Sequence, residues 1–490
     1  MLQKILISDP RVAVKILNSK GRSSALKTFK DACKISAYKN ILTKNKINIE
    51  SIKSVNDFKK LPILDKENYI RAFPIEERSR FEMHKNYTIE RSSGYSGEPS
   101  YWVRFTGQDD VTEKRIVQLI DSLFQIKQKK TLIINTFAMG TWIAGIKTAR
   151  WFLNAANKSN LDLTVVNVGI NLDETIDIFN KFHSFYDQTI FMGYNPFLKQ
   201  IVERISGMYK KDHIVHLLMG GEGFSEAWRD YVASKLDYKI EDFKGKIISG
   251  YGAADMGNDI GVEQPFSIML RRAFASDSEL RHKYFGNNSD FVPIMFQYSP
   301  TKVYIETNKD GELILTANSG TPLVRYNLHD KGGTINYSDA LKIMEEFYGK
   351  DYVKKVLKPM PLPIVYLYGR SDSTVHVVGV NIYLEHLKQA ISSIKISNLV
   401  SGRFYSFTEE DANHNQIFNL VIEARNLSSA KINNNLIKDT VIAELCNLNK
   451  EYKHLYETNP KLSSPQITFI SKNEFEEYSK ESIKIIYQRK

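Results

Sequence analysis

Apolar residues recur at spacings of three and four over Ser24–Tyr38 and Ser54–Phe73, a pattern that predicts an N-terminal helical layer. Pro62 interrupts its second stretch and Pro74 ends it. Two short apolar or aromatic runs follow, Tyr87–Glu90 and Tyr101–Phe105, and read as strands. A helix is expected over Asp110–Lys127. Strand-like runs at Thr131–Phe137, Leu163–Val168, Thr189–Met192, Ile214–Met219 and Lys246–Ile248 then alternate with helix-patterned stretches near 141–157, 172–185, 196–209 and 225–236. That alternation predicts a largely parallel, doubly wound sheet.

Residues 291–336 turn β-rich. Lys302–Thr307 and Glu312–Ala317 flank Asn308-Lys309-Asp310-Gly311, a hairpin signature. A short strand from Thr321 leads to Asp330, and a helix is expected near 338–347. Pro361-Leu362-Pro363 and the strand Ile364–Tyr368 lead into the polar step Gly369–Ser373. Beyond it, strands near 374–378, 401–407, 416–424 and 466–471 mix with helices near 383–393 and 429–448. The expected fold class is α/β. A large N-terminal domain (1–368) has mostly parallel sheet layers and a β-rich subdomain, a hinge covers 369–373, and a small mobile α+β domain covers 374–490.

Glycines fall repeatedly just past the carboxyl ends of the strand candidates: Met139-Gly140, Gly193-Tyr194, Gly220-Gly221-Glu222-Gly223 and Gly250-Tyr251-Gly252-Ala253-Ala254-Asp255. Glycine ends many strands, but it also lets a backbone approach a ligand closely, and open α/β sheets bind ligands at that edge. The stretch Arg91-Ser92-Ser93-Gly94-Tyr95-Ser96-Gly97-Glu98-Pro99 is a second concentration of glycine and hydroxyl groups, able to aim N–H and O–H donors at an anion. It lacks the lysine of a Walker A loop and the second glycine of a serine-hydrolase elbow. An ordinary polar hairpin has the same composition.

Composition narrows the class. The 490 residues exceed one ordinary core, and 42% hydrophobic with 25% charged residues describes a globular protein. No apolar run reaches the roughly 18 residues of a membrane helix. The N-terminus has charges through its apolar part and does not read as a signal peptide. Cys33 and Cys446 are too few for a disulfide framework or zinc site, and suit a reducing cytoplasm. The net charge is +11, and residues 371–490 carry 14 basic and 14 acidic side chains, so the excess lies in the first 370. Its lysines are scattered, which argues against nucleic acid and suits small anionic ligands.

In this order the motifs resemble those of the adenylate-forming enzymes, and within them the phenylacetate–coenzyme A ligase-like branch. The resemblance implies ATP-dependent activation of a carboxylic acid as an acyl-adenylate, with Mg²⁺, followed by acyl transfer to the thiol of coenzyme A or of a carrier protein. The match assigns Ser92, Ser93, Gly94, Ser96 and Gly97 to the phosphates. It assigns Gly221, Glu222 and Gly223 to the adenine pocket, and Tyr251, Gly252 and Ala253 to the base. Asp255 would hold the metal, and Asp330 the ribose hydroxyls with Arg325 and Arg370 beside it. Asp372 would be the hinge. The acid pocket would lie near Phe137, Met139, Trp142, Ile143, Gly145 and Phe191, apolar enough for an aromatic or aliphatic acid; each of these also suits an ordinary core. A homodimer is compatible with the resemblance, and neither nucleic acid nor membrane is implied.

The chain departs from the family pattern at several points. Tyr95 stands where a small hydroxyl residue is usual, Glu98 where a lysine is commoner, and Asp255 where glutamate is usual. The family's catalytic lysine follows a glycine near the C-terminus. Here Lys480 and Lys484 are the candidates, and neither has that glycine. Two alternatives stay open: an amide-forming ligase, and a weakened nucleotide-binding homologue.

Overall fold

A computed structural model describes residues 9–79, 87–92, 100–105, 117–140, 143–159, 161–221, 223–257, 259–286, 292–318, 320–357, 359–370, 375–391, 393–475 and 485–487. Strands β1 (Tyr87–Ser92) and β2 (Ser100–Phe105) form an antiparallel ribbon of their own. The central sheet contains β3 (Thr131–Asn135), β4 (Leu163–Asn167), β5 (Gln188–Gly193), β6 (Ile214–Gly220), β7 (Ile247–Tyr251), β8 (Gly261–Val262), β9 (Ile294–Tyr298), β10 (Tyr304–Thr307), β11 (Glu312–Asn318), β12 (Pro322–Ile335) and β13 (Ile364–Arg370). Their order is β10-β11-β12-β13-β9-β8-β7-β6-β5-β3-β4.

The sheet has two halves. From β4 to β7 every pairing is parallel. These strands are covered on both faces, so β3 and β5 are buried at every residue and read as continuous apolar runs, whereas the edge strand β4 is half exposed. From β7 to β10 every pairing is antiparallel. The mostly parallel expectation therefore holds for one half. The β-rich stretch is not a separate layer but extends the same sheet. The direction reverses at Ala254–Gly257, where a single tight turn, closed by Gly257 at φ 77°, replaces a helical crossover.

Helices Pro10–Ala32 and Ser36–Lys44 cover the antiparallel half, and their Phe29 and Tyr38 share one core with Phe58, Leu313, Leu323 and Tyr326. The helix expected over Ser54–Phe73 is broken into a 3₁₀ turn (Val55–Lys60) and a π turn (Lys66–Arg71). Between them the backbone is extended. The Leu64 N–H donates to the Arg325 carbonyl (3.0 Å) and the Leu64 carbonyl accepts from Asn327 (2.7 Å). Pro62 cannot continue a helical ladder, and the bridge to β12 takes up the freed groups.

The C-terminal part has its own four-stranded sheet: β16 (Val400–Glu410), β17 (Gln416–Ala424), β18 (Gln466–Ile470) and β19 (Ile485–Tyr487) in the order β18-β17-β16-β19. A hairpin of β14 (Val375–Val377) and β15 (Val380–Ile382) precedes it. The β16–β17 turn reaches the large body. Glu410 accepts from the Ser225 N–H (3.1 Å) and hydroxyl (2.7 Å), and buried Lys199 donates to Asn415 (2.8 Å).

Candidate functional site

The parallel strands end along one edge, and their order reverses between β3 and β5, the position where doubly wound sheets open a crevice. Register places the glycine loops side by side there. Gly193 pairs with Met219, and Gly220 pairs with Gly250. Phe137 and Tyr194 meet edge to face at 5.1 Å across the switch. Gly221, at φ 89°, lies against the Tyr194 ring. Gly379, in the β14–β15 turn, lies against the same ring. A Cβ there would come within 2.1 Å of Tyr194 Cε1.

The antiparallel half brings in a second set of groups. The Tyr251 hydroxyl donates to Asp330 Oδ2 (2.6 Å), and the Tyr326 hydroxyl donates to Asp255 Oδ1 (2.6 Å). Each of the two segments thus contributes one tyrosine and one aspartate, crossed over between the β7 loop and β12. β12 is bulged on both sides of Tyr326, with Arg325 at φ 50° and His329 at φ 63°. Bulges re-aim side chains, and these two turn Tyr326 and Asp330 toward the β7 loop. Asp330 also pairs in register with Arg370 of β13.

The ribbon β1–β2 is anchored beneath this edge by buried charge. Glu90 accepts from Arg104 Nε (3.1 Å) and pairs with Lys147 Nζ (3.1 Å), and all three side chains are almost fully buried. Arg104 also donates to the Ala254 carbonyl. The base of the hydroxyl-rich loop is therefore tied to the residue before Asp255. Isolated buried ions are costly; here each has a partner of opposite charge.

A second buried network supports the glycine loop. Glu226 accepts from Arg229 (3.0 Å), Arg271 (2.9 Å) and Arg272 (3.1 Å). Burial alone would raise its carboxyl pKa, but Arg229, Arg271 and Arg272 hold it down to about 2. Arg229 bridges on to Glu263 (2.7 Å), whose second oxygen accepts from the Ser249 N–H in β7 (2.7 Å). Arg271 donates to the Phe224 carbonyl (2.7 Å). One ion cluster thus braces both Phe224, next to the glycine loop, and Ser249 in β7.

Several expected residues come together: Tyr251, Asp255 and Asp330, with Gly221 and Gly223 on the neighbouring loop and the Arg370 backbone on the next strand. Gly252 and Ala253 lie between Tyr251 and Asp255 and are half-buried. Others sit elsewhere. The Arg325 guanidinium donates to the Leu61 carbonyl (2.6 Å) and pairs with Glu306, so it joins β12 to the helical layer. Gly145 is a packing glycine, since a Cβ would meet the Ala138 carbonyl at 2.2 Å. Phe191 is a core ring against Phe179. Phe137 and Ile143 are buried near the switch, and Met139 is half exposed there. Of Ser92 only the backbone is described. Ser93, Gly94, Ser96, Gly97, Trp142, Glu222, Asp372, Lys480 and Lys484 lie outside the described residues. Sequence reading passed over Tyr194 as a site residue, although it follows a strand-ending glycine, and gave no role to Trp102 or Arg78.

Among the described residues no group of three or more histidine, cysteine or acidic side chains is placed to hold a metal, and no helix is long and apolar enough to cross a membrane. No family model matches the sequence, and no curated protein matches it. Solved structures do. A 2-hydroxyisobutyryl-CoA ligase in its postadenylation state, in complex with 2-HIB-AMP, is 10% identical with a TM-score of 0.50, covering 96% of this chain and 87% of that one. An acyl-CoA synthetase-like protein from Dyadobacter fermentans is 16% identical, with a TM-score of 0.33 and coverage of 79% and 85%. An amide bond synthetase from Marinactinospora thermotolerans is 10% identical, with a TM-score of 0.45 and coverage of 84% and 72%.

Proposed function

We propose that this chain, which has the fold of an AMP-forming acyl-CoA ligase, activates a carboxylic acid with ATP as an acyl-adenylate and passes the acyl group to a thiol. The observation that carries this reading is the crossed pair Tyr251–Asp330 and Tyr326–Asp255 at the sheet's carboxyl edge. Two tyrosine rings and two carboxylates meet there within one small region, next to the glycine loop. Asp330 would accept from the ribose hydroxyls in charge-assisted bonds, with Arg370 alongside. Tyr251 would present its ring to the base.

Asp255 suits Mg²⁺, which commonly takes one or two carboxylates and completes its shell with phosphate oxygens and water. The ion would neutralise charge on the phosphates when bound. The Tyr326 hydroxyl on Oδ1 leaves Asp255 only partly available, and fixes its orientation. The acid would approach along the switch between Phe137 and Tyr194, whose rings favour an aromatic or otherwise apolar acid. Lys480 or Lys484 would supply a cation at the reacting carboxylate, and residues 369–373, with Asp372, would let the small domain swing between the two half-reactions. Coenzyme A and a carrier-protein arm are both acceptors of the required thiol chemistry, and the cytoplasm is the compartment we assign.

Pyrophosphate exchange into ATP, driven by a panel of aromatic and aliphatic acids, tests the reading. Acid-dependent exchange is expected. No exchange with any acid, together with no AMP binding, refutes it. Exchange followed by amide but no thioester formation would redirect the second step to an amine.

A further inference from the structure

Beneath the β1–β2 ribbon lies a group of buried donors with no acceptor among the described residues. Arg78 is 5% exposed. Its Nη2 donates to the Tyr101 carbonyl (3.1 Å), while Nε and Nη1 have no hydrogen-bond partner among the described residues. Its guanidinium sits 5.6 Å from the Trp102 ring centroid, and Arg104 lies 5.3 Å from the same ring. The Trp102 indole N–H and the Tyr69 hydroxyl are likewise buried and have no partner among the described residues. Leaving a buried donor unpaired costs stability, and native structures tolerate few.

Around Arg78 stand the neutral hydroxyls of Tyr69 and Tyr326 and, farther off, the carboxylates of Asp255 and Glu76. Among the described residues, no carboxylate lies within ion-pair distance of it. The neighbouring cations are already matched, because Arg104 and Lys147 share Glu90. Arg104 reaches the Ala254 carbonyl, so the donor group stands next to Asp255. The loop 92–99 carries no basic residue of its own.

A cation and two neutral donors without acceptors specify an anion with several oxygens. We propose that Arg78, with Trp102 Nε1 and the Tyr69 hydroxyl, binds the pyrophosphate portion of the nucleotide; this rests on the adenylate-forming reading above. In that reaction a carboxylate oxygen bonds to the α-phosphorus, the bond from that phosphorus to the bridging oxygen breaks, and the electron pair leaves on pyrophosphate. Arg78 N–H groups would donate hydrogen bonds to the oxygens that carry that leaving charge.

The test is calorimetric titration of the full chain with AMP, ATP and inorganic pyrophosphate, each with thermal unfolding. R78M should weaken ATP and pyrophosphate at least tenfold, leave AMP within twofold, and keep or raise the unfolding midpoint, because an unpaired buried cation is gone. R78K should recover part of the affinity. W102F, which keeps an aromatic face and loses the N–H, should weaken pyrophosphate about threefold, and serves if R78M does not fold. Equal losses for AMP and pyrophosphate, or a lowered midpoint with pyrophosphate affinity unchanged, would assign Arg78 a structural role. If the wild type binds AMP but not pyrophosphate, the Arg78 assignment alone fails; if it binds neither, the nucleotide site fails and this assignment with it.

Discussion

Replacing Glu226 by glutamine keeps its shape and removes the charge that three arginines share. Its side chain is 11% exposed, so screening by water is slight. With the carboxyl held down to about 2 in the folded chain against an ordinary 4.5, the ionised form stabilises the fold by about 3 kcal/mol at neutral pH. The folded value lies below the unfolded one. The contribution is therefore complete above pH 4.5 and is lost as pH falls toward 2. About 1 kcal/mol of it is gone at pH 4 and about 2 kcal/mol at pH 3. Urea unfolding of the wild type and E226Q at pH 7 should differ by about 3 kcal/mol, in the range for breaking a buried ion cluster. At pH 4 the gap should narrow to about 2 kcal/mol. Arg271 also holds the Phe224 carbonyl, so E226Q should raise the KM for ATP as the glycine loop loosens. A gap below about 1 kcal/mol at pH 7 would show that the cluster does not stabilise the fold through this carboxylate. A gap that stays constant or widens toward pH 4 would show that its ionisation is not the cause.

Asp330→Ala should weaken AMP and ATP equally, by about 1.5–3 kcal/mol, because a charged acceptor for ribose is lost; direct titration with AMP checks this, and unchanged affinity would count against the ribose assignment. Gly379→Ala should disturb the packing of the β14–β15 turn on Tyr194, since its Cβ would stand 2.1 Å from that ring and φ is 79°. Thiol transfer from preformed acyl-adenylate is the readout, with Tyr194→Ala expected to restore part of the rate if the clash is the cause. Lys480→Ala should depress pyrophosphate exchange more than thiol transfer. The same split on Lys484→Ala would move the catalytic role to that lysine.

The parallel half of the sheet was legible because its strands are buried on both faces, so apolar runs and helical periodicity alternate without ambiguity. β3, β5 and β6 lie within two residues of their expected bounds. Local chemistry also marked Tyr251, Asp255 and Asp330, since glycine-rich turns and an acidic residue after a strand leave a trace in the chain itself. The bulged 14-residue β12 read only as a short strand. Its positive-φ positions are arginine and histidine, which carry no turn signal.

What the sequence by itself determined is the strand–helix alternation of the parallel half and the order of its motifs, because periodicity and turn residues are local properties. Tertiary structure alone decided which charges meet. Tyr326 reaches Asp255 across 71 residues and Tyr251 reaches Asp330 across 79. Glu90 gathers Arg104 and Lys147, while Arg78 meets no carboxylate among the described residues. Arg325, which stands in the same motif as Tyr326, turns the other way, to Leu61 and Glu306. Adjacent strand residues face opposite sides of a sheet, and a bulge shifts that alternation. The destination of each side chain therefore depends on the register of strands that are distant in sequence.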